Sequence, residues 1–183
     1  QSVIERCRDR DIAVGALTGA REHALKHAAA GVDILVVSGT EAGGHCGEIS
    51  TMVVVPDVID AVKDYDDIHV LAAGGIAPGR QMAACMAMGA AGAWCGSVWL
   101  TTAEAETTPT VKQKMLAAGP RSTVRSRSRT GKPTRQLQSA WTDAWYAPEA
   151  PDPLPMPLQG VLSRPPMDKI DRLAAGGHAG AAA

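Results

Sequence analysis

The stretch Val32-Asp33-Ile34-Leu35-Val36-Val37-Ser38-Gly39-Thr40-Glu41-Ala42-Gly43-Gly44-His45-Cys46-Gly47 decides how this chain is read. Its apolar half, Val32 to Val37, is too short for a lone helix and rich in β-branched residues, which predicts a buried strand. The strand runs into a glycine-rich loop. Gly43 and Gly44 let the backbone take dihedrals closed to other residues and approach a flat ligand closely. His45 is the one side chain of the loop whose charge changes near neutral pH. A catalytic histidine beside a planar cofactor suits this pattern, against the plainer reading of a tight turn with a surface histidine.

Outward from that stretch, strand and helix alternate. Upstream, Gln1 to Arg10 reads as the exposed end of a helix and Asp11 to Leu17 as a short strand. Thr18 is expected to cap the next helix, whose apolar positions Ala24, Leu25 and Ala28 share a face until Gly31 stops it. Downstream, Pro56 has the place of a first helical residue, with Asp57 in the first turn. His69 to Ala73 is another strand, and Pro78 introduces a helix whose Met82, Met86 and Met88 read as core filling. The junction Ala29-Ala30-Gly31-Val32-Asp33 is echoed by Ala90-Ala91-Gly92-Ala93-Trp94, each leading into a strand. Strands are thus expected near residues 12–17, 33–38, 69–73 and 93–98. Repeated βα units call for a parallel sheet. A closed eight-stranded βα barrel takes about 250 residues, so four strands are half of one, and an open doubly wound sheet is the competing topology.

Composition narrows the function classes. The chain has 183 residues, is 45% hydrophobic and carries a net charge of −1, which gives no global pull toward nucleic acid or a membrane. Cys7, Cys46, Cys85 and Cys95 are widely spaced, with no CxxC pair and no clustered histidines, so neither a metal site nor a disulfide framework is indicated. Free thiols in a reducing cytoplasm are the expectation. No apolar run approaches the length of a membrane span.

Two further glycine sites bear on the topology. Gly74-Gly75 leaves one strand end, and Gly96-Ser97 lies at or just past the next, so backbone N–H groups from successive strand ends could converge on an anion. In βα barrels the loops after the last two strands form a frequent phosphate site. Neither loop has the GxxxxGK[ST] or GxGxxG pattern of the classical nucleotide folds, which favours the barrel.

Gly39-Thr40-Glu41-Ala42-Gly43-Gly44-His45, Ala72-Ala73-Gly74-Gly75-Ile76-Ala77 with Gly79-Arg80, and Gly89-Ala90-Ala91-Gly92 leading to Gly96-Ser97 and Leu100-Thr101-Thr102-Ala103-Glu104 together resemble the FMN-dependent nitronate monooxygenases, formerly called 2-nitropropane dioxygenases. The resemblance runs from about Asp11 to Leu116. Thr130-Gly131-Lys132-Pro133-Thr134-Arg135 and Pro153 to Gln159 also resemble the C-terminal segments of actinobacterial members. It implies a (β/α)8 TIM barrel of which this chain supplies about the last four βα units. It also implies that Gly74, Gly75, Gly96 and Ser97 hold the FMN phosphate, that Gly43 and Gly44 lie close to the cofactor, and that His45 faces the flavin and binds or deprotonates the substrate. The family's reaction takes an alkyl nitronate and O2 to a carbonyl compound and nitrite, without a metal.

Half a barrel leaves two strand edges unpaired, so the chain is expected to be part of a longer protein or to pair with another half, the missing N-terminal half of the barrel being the natural partner; a homo-oligomer is also open. Residues 1–119 are expected to form the barrel half and 120–183 a basic segment, a short helix and a Pro-rich arm. The same loops resemble those of flavin-dependent enoyl-[acyl-carrier-protein] reductases and of flavin enzymes of steroid ring degradation, so a thioester substrate is the alternative. A non-enzymatic reading comes from Arg121, Arg125, Arg127, Arg129, Lys132 and Arg135, which could bind the phosphates of RNA or a coenzyme. No aromatic residue interleaves them, which speaks against single-stranded nucleic acid. Pro148, Pro151, Pro153, Pro155, Pro157, Pro165 and Pro166 predict an extended arm, with a short helix only at Met167 to Ala175. Trp141 and Trp145, one helical turn apart, read as a packing stripe, and His178 falls in the tail.

Overall fold

The computed structural model describes residues 2–65 and 67–176; His178 and the rest of the glycine- and alanine-rich end fall outside them. In chain order the elements are α1 (Val3–Arg8), β1 (Gly15–Thr18), α2 (Arg21–Ala29), β2 (Ile34–Ser38), β3 (Gly44–His45), α3 (Thr51–Val62), β4 (His69–Ala73), α4 (Gly79–Ala87), β5 (Gly92–Trp94), α5 (Pro109–Ala117), β6 (Thr123–Ser126), β7 (Thr134–Leu137), α6 (Ala140–Tyr146) and α7 (Leu158–Ala175), with a single 3-10 turn at Trp99–Thr101. They divide into two compact units, Gln1–Ala42 with Cys46–Cys95, and Gly43–His45 with Gly96–Ala183.

The first unit is built on a parallel sheet in the order β1-β2-β4-β5. Each strand lies beside the next of the unit in chain order, with Leu35 opposite Val70 and Ala72 opposite Ala93. A doubly wound sheet reverses its strand order at a switch point. This sheet never reverses, and one-directional winding of βα units is how a barrel is laid down, so the fold is half of a βα barrel. The sheet and helices α2 and α3 close on Leu35, Val37, Val54, Val55 and Val58, all fully buried. Burial of each contributes about 1.5–3 kcal/mol, so small β-branched side chains can fill this core without phenylalanine.

Three local expectations are corrected here. Helix α3 begins at Thr51, not Pro56, which sits inside it. The proline deprives the Met52 carbonyl of its helical donor, but Met52 is exposed and water can serve that group. Thr18 does not cap α2; Ala20 occupies that position, and the Thr18 hydroxyl bonds the Ala20 backbone one step upstream of the helix. Met82 and Met86 lie on the exposed side of α4, and of the three methionines only Met88 packs against the core. Other expectations hold: Pro78 is the N-cap of α4, and Gly31 and Gly89 end their helices with φ of 84° and 99°.

The second unit contains an antiparallel sheet in the order β3-β7-β6. The basic segment, to which the sequence assigned no secondary structure, forms a hairpin of β6 and β7, with Arg125 directly opposite Arg135. Helix α6 opens with a capping box in which the Ser139 hydroxyl accepts from the Thr142 N–H. Its Trp141 and Trp145 rings stand 6.0 Å apart, as the packing stripe predicted. The proline-rich arm has no regular structure from Ala147 to Pro157, but the helix expected from Met167 begins earlier, at Leu158, and runs through Pro165 and Pro166. The carbonyls that lose their donors belong to Val161 and Leu162, which are exposed to water, while Gln159 and Ser163, one turn apart, are buried on the opposite side.

Candidate active site

In the first unit, the glycine pair closes the C-terminal end of β4. Gly74 and Gly75 have φ of 109° and 68°, conformations that side-chain-bearing residues rarely adopt. A Cβ on Gly74 would stand 2.8 Å from Thr51 Oγ1 and 3.0 Å from the Ala42 N, and one on Gly75 would stand 3.2 Å from the Glu41 Cβ. The turn is therefore pressed against the end of the loop that follows β2. That loop is pinned by Glu41, whose Oε2 accepts from the Thr51 N–H at 2.9 Å, the Thr51 hydroxyl at 2.8 Å and the Thr40 hydroxyl at 3.2 Å. Thr51 is the first residue of α3, and Ser50, its N-cap, makes no side-chain capping bond, so the glutamate takes over the capping. Burial pushes the Glu41 carboxyl up, but the hydrogen bonds from Thr51, the Glu41 N–H and Thr40 outweigh it and hold the group below its ordinary value. This contact explains why α3 starts five residues before Pro56.

Beyond the glycine turn, α4 presents an N-terminus suited to an anion. No acidic residue lies in its first turn, Pro78 supplies no side-chain cap, Arg80 is exposed, and a Cβ on Gly79 would meet open space. The Ala77 N–H is taken by Gln81 Oε1 at 2.9 Å, which steadies the approach to the helix.

In the second unit, Gly44 and His45 form a strand, with Gly44 opposite Arg135 and His45 opposite Thr134. Within the expected glycine-rich loop, the histidine thus stands on a sheet edge held by β7. His45 is exposed, and its Nε2 lies 2.8 Å from Thr130 Oγ1. Gly44 has a φ of 78° with open space where a Cβ would be, while a Cβ on Gly43 would stand 2.6 Å from Ser97 Oγ. Gly43 and Ser97 are therefore in close approach. Gly96 and Ser97 also begin the 3-10 turn, their carbonyls accepting from the Trp99 and Leu100 N–H groups at 3.1 and 3.2 Å. A short extra helix after the last barrel strand is a recurring part of barrel phosphate sites.

In each unit one residue bonded to a predicted one carries no sequence signal, Thr51 in the first and Thr130 in the second. Thr51 and Thr130 carry no motif of their own, and their partners, Glu41 and His45, are ten and 85 positions away. Thr130 opens the Thr-Gly-Lys-Pro-Thr-Arg run, but nothing in that spacing points to His45.

In the first unit, left-handed glycines at a strand end and a helix N-terminus without a side-chain cap fit a phosphate group. In the second, an open glycine beside an exposed histidine fits the face of a planar ring. Half of a βα barrel with these strand-end loops defines the class. The chain belongs to the nitronate monooxygenase family, whose model matches residues 1–180. It is 59% identical over 172 residues to Rv1533 of Mycobacterium tuberculosis, which is named as a monooxygenase, covering 94% of this chain and 45% of that protein. It is 40% identical over 139 residues to an octahydro-1H-indene-4-carboxyl-CoA dehydrogenase of Rhodococcus jostii, covering 76% of this chain and 38% of that enzyme. Among solved structures, nitroalkane oxidase from Streptomyces ansochromogenes superposes with a TM-score of 0.80 at 31% identity, over 98% of this chain and 52% of that one. The chain thus spans about half the length, or less, of the proteins it matches.

Proposed function

We propose that the protein containing this chain oxidises an alkyl nitronate or nitroalkane with O2, giving a carbonyl compound and nitrite, with FMN as cofactor. FMN supplies the capacity to take electrons from the substrate and pass them to O2. In the first unit, the Gly74-Gly75 turn and the N-terminus of α4 offer backbone N–H groups to a phosphate. In the second, Gly96 and the Ser97 hydroxyl offer the same chemistry, Gly43 packs against Ser97, and Gly44 leaves a flat ring room to approach. His45 meets the substrate: a neutral imidazole accepts the proton from the carbon bearing the nitro group, and the same ring orients a nitronate that arrives already ionised. The observation that carries this reading is His45 on a sheet edge beside open Gly44, held by a single hydroxyl. The four cysteines, free of disulfides, suit a cytoplasmic setting.

A second reading has one observation in its favour, the similarity to the Rhodococcus CoA dehydrogenase. A thioester substrate would bring phosphates, and Arg125 opposite Arg135 on the β6–β7 hairpin would suit them. The two readings separate in one experiment on the full-length protein. Rapid O2 uptake with a nitronate, with nitrite formed in step, is the expected result. Anaerobic reduction of the bound flavin by NAD(P)H, without nitronate-dependent O2 uptake, would replace it with the thioester reading.

A further inference from the structure

We propose that Thr130 is the positioning residue for His45, and that the proline-rich arm and helix α7 serve to fix Thr130. The inference rests on His45 being the group that meets the substrate. A histidine used as a base must keep one ring nitrogen free of its proton and aimed outward, which needs a partner on the other nitrogen. Thr130 Oγ1, 2.8 Å from Nε2, is that partner. The same oxygen stands 3.5 Å from the Lys132 carbonyl and 3.4 Å from the Lys132 N–H. With its own proton directed to that carbonyl, the hydroxyl accepts from Nε2–H, and the basic lone pair is placed on Nδ1.

A threonine on an exposed loop could not hold a ring in one orientation, but the loop carrying Thr130 is tied down at every neighbouring residue. The Gly131 N–H donates to the Arg127 carbonyl at 2.8 Å, and Arg127 Nε donates to the Gly131 carbonyl at 3.0 Å. Ser128 is fully buried, and its hydroxyl accepts from Trp141 Nε1 at 3.1 Å. From α7, Gln159 Nε2 donates to the Ser128 carbonyl at 2.6 Å and Ser163 Oγ to the Arg129 carbonyl at 2.5 Å. Gln159, itself fully buried, also takes the Leu154 N–H on its Oε1 at 3.0 Å, so one side chain joins the arm to the loop. Gly131 has a φ of 85°, and a Cβ there would run into the Leu154 carbonyl and the Met156 N. The arm therefore lies directly against the residue after Thr130. A run of prolines is suited to this task, because its restricted backbone loses little entropy on being held.

The test uses full-length protein with its flavin, labelled with ¹⁵N in the histidine ring, whose nitrogen shifts report the tautomer whether or not the substrate has been identified correctly. Wild type is expected to show His45 as a single Nε2–H tautomer, Thr130→Val a mixture, and Thr130→Ser the wild-type pattern. Gln159→Met, which keeps the volume and removes both bonds, should also give a mixture. With nitronate as substrate, Thr130→Val should lower kcat by about tenfold with flavin content unchanged, and Thr130→Ser should recover most of it. An unchanged tautomer in Thr130→Val would overturn the role of Thr130. A mixture in Thr130→Val with an unchanged pattern in Gln159→Met would overturn the role of the arm. Loss of turnover on nitronates in every variant and in wild type, with the tautomers as expected, would count against the substrate and leave the positioning intact.

Discussion

Replacing Glu41 should loosen the glycine turn and the start of helix α3 together. In the structure one carboxylate oxygen receives the Thr51 N–H at 2.9 Å, the Thr51 hydroxyl at 2.8 Å and the Thr40 hydroxyl at 3.2 Å. Hydrogen bonds to a charged group contribute about 1.5–3 kcal/mol each, and a negative charge at a helix N-terminus adds about 0.3–1 kcal/mol. These terms are not additive, and the carboxylate is partly open to water, so Glu41→Ala should cost about 2–3 kcal/mol and Glu41→Gln, which keeps an acceptor, about half of that. The assay is hydrogen exchange on the full-length protein, read over residues 39–54. A loss of about 2 kcal/mol opens that segment roughly thirtyfold more often. The pH dependence provides an independent check. The folded carboxyl lies below its ordinary value of 4.5, so its contribution is complete above that value and is lost as pH falls through the lowered folded one. Glu41→Gln should therefore remove a portion of the acid sensitivity of this segment. Unchanged exchange over 39–54, with the same acid response as wild type, would refute the capping argument.

Three other outcomes follow from the same geometry. Gly74→Val places a β-branched residue at a φ of 109° with Thr51 Oγ1 and the Ala42 backbone already in the way, and should cost about 2 kcal/mol or more in a denaturant titration, with flavin lost on dialysis. Gly43→Ala should weaken flavin retention, read as flavin left after dialysis, by pushing Ser97 aside, since the new methyl would stand 2.6 Å from its hydroxyl oxygen. Burial, reinforced by the neighbouring Cys95, pushes the Cys85 thiol up, so Cys85 should be the last of the four cysteines to react with iodoacetamide at pH 8, as read by peptide mass spectrometry.

How much of this was legible beforehand depended on whether the signal was local. The strand Ile34–Ser38 and the strand His69–Ala73 announce themselves through apolar runs bounded by glycine, and Gly31, Gly89 and Pro78 mark helix ends because their backbone preferences act on their own positions. Helix α3 was misjudged because its first turn is stabilised by a carboxylate ten residues upstream, an interaction that no helical periodicity encodes. Helix α7 was expected only from Met167, and its first half was missed for a related reason: Gln159 and Ser163 bury one face among distant carbonyls, and that tertiary gain overrides two prolines. Met82 and Met86 were assigned inward on residue type alone, while Cys85 takes the buried face of the same helix. The glycines and His45 could be proposed from sequence because each belongs to a contiguous motif. Thr130 and Thr51 were not, because common hydroxyl residues acquire a role only through the fold.

In the proposed function His45 does chemistry on the substrate while other residues hold the cofactor. The most direct measurement compares wild type with His45→Ala in the full-length protein, scoring bound FMN by absorbance and nitrite release with a nitronate substrate. Retained FMN with nitrite release reduced by about a hundredfold or more is the predicted result. Full nitrite release in His45→Ala would contradict it.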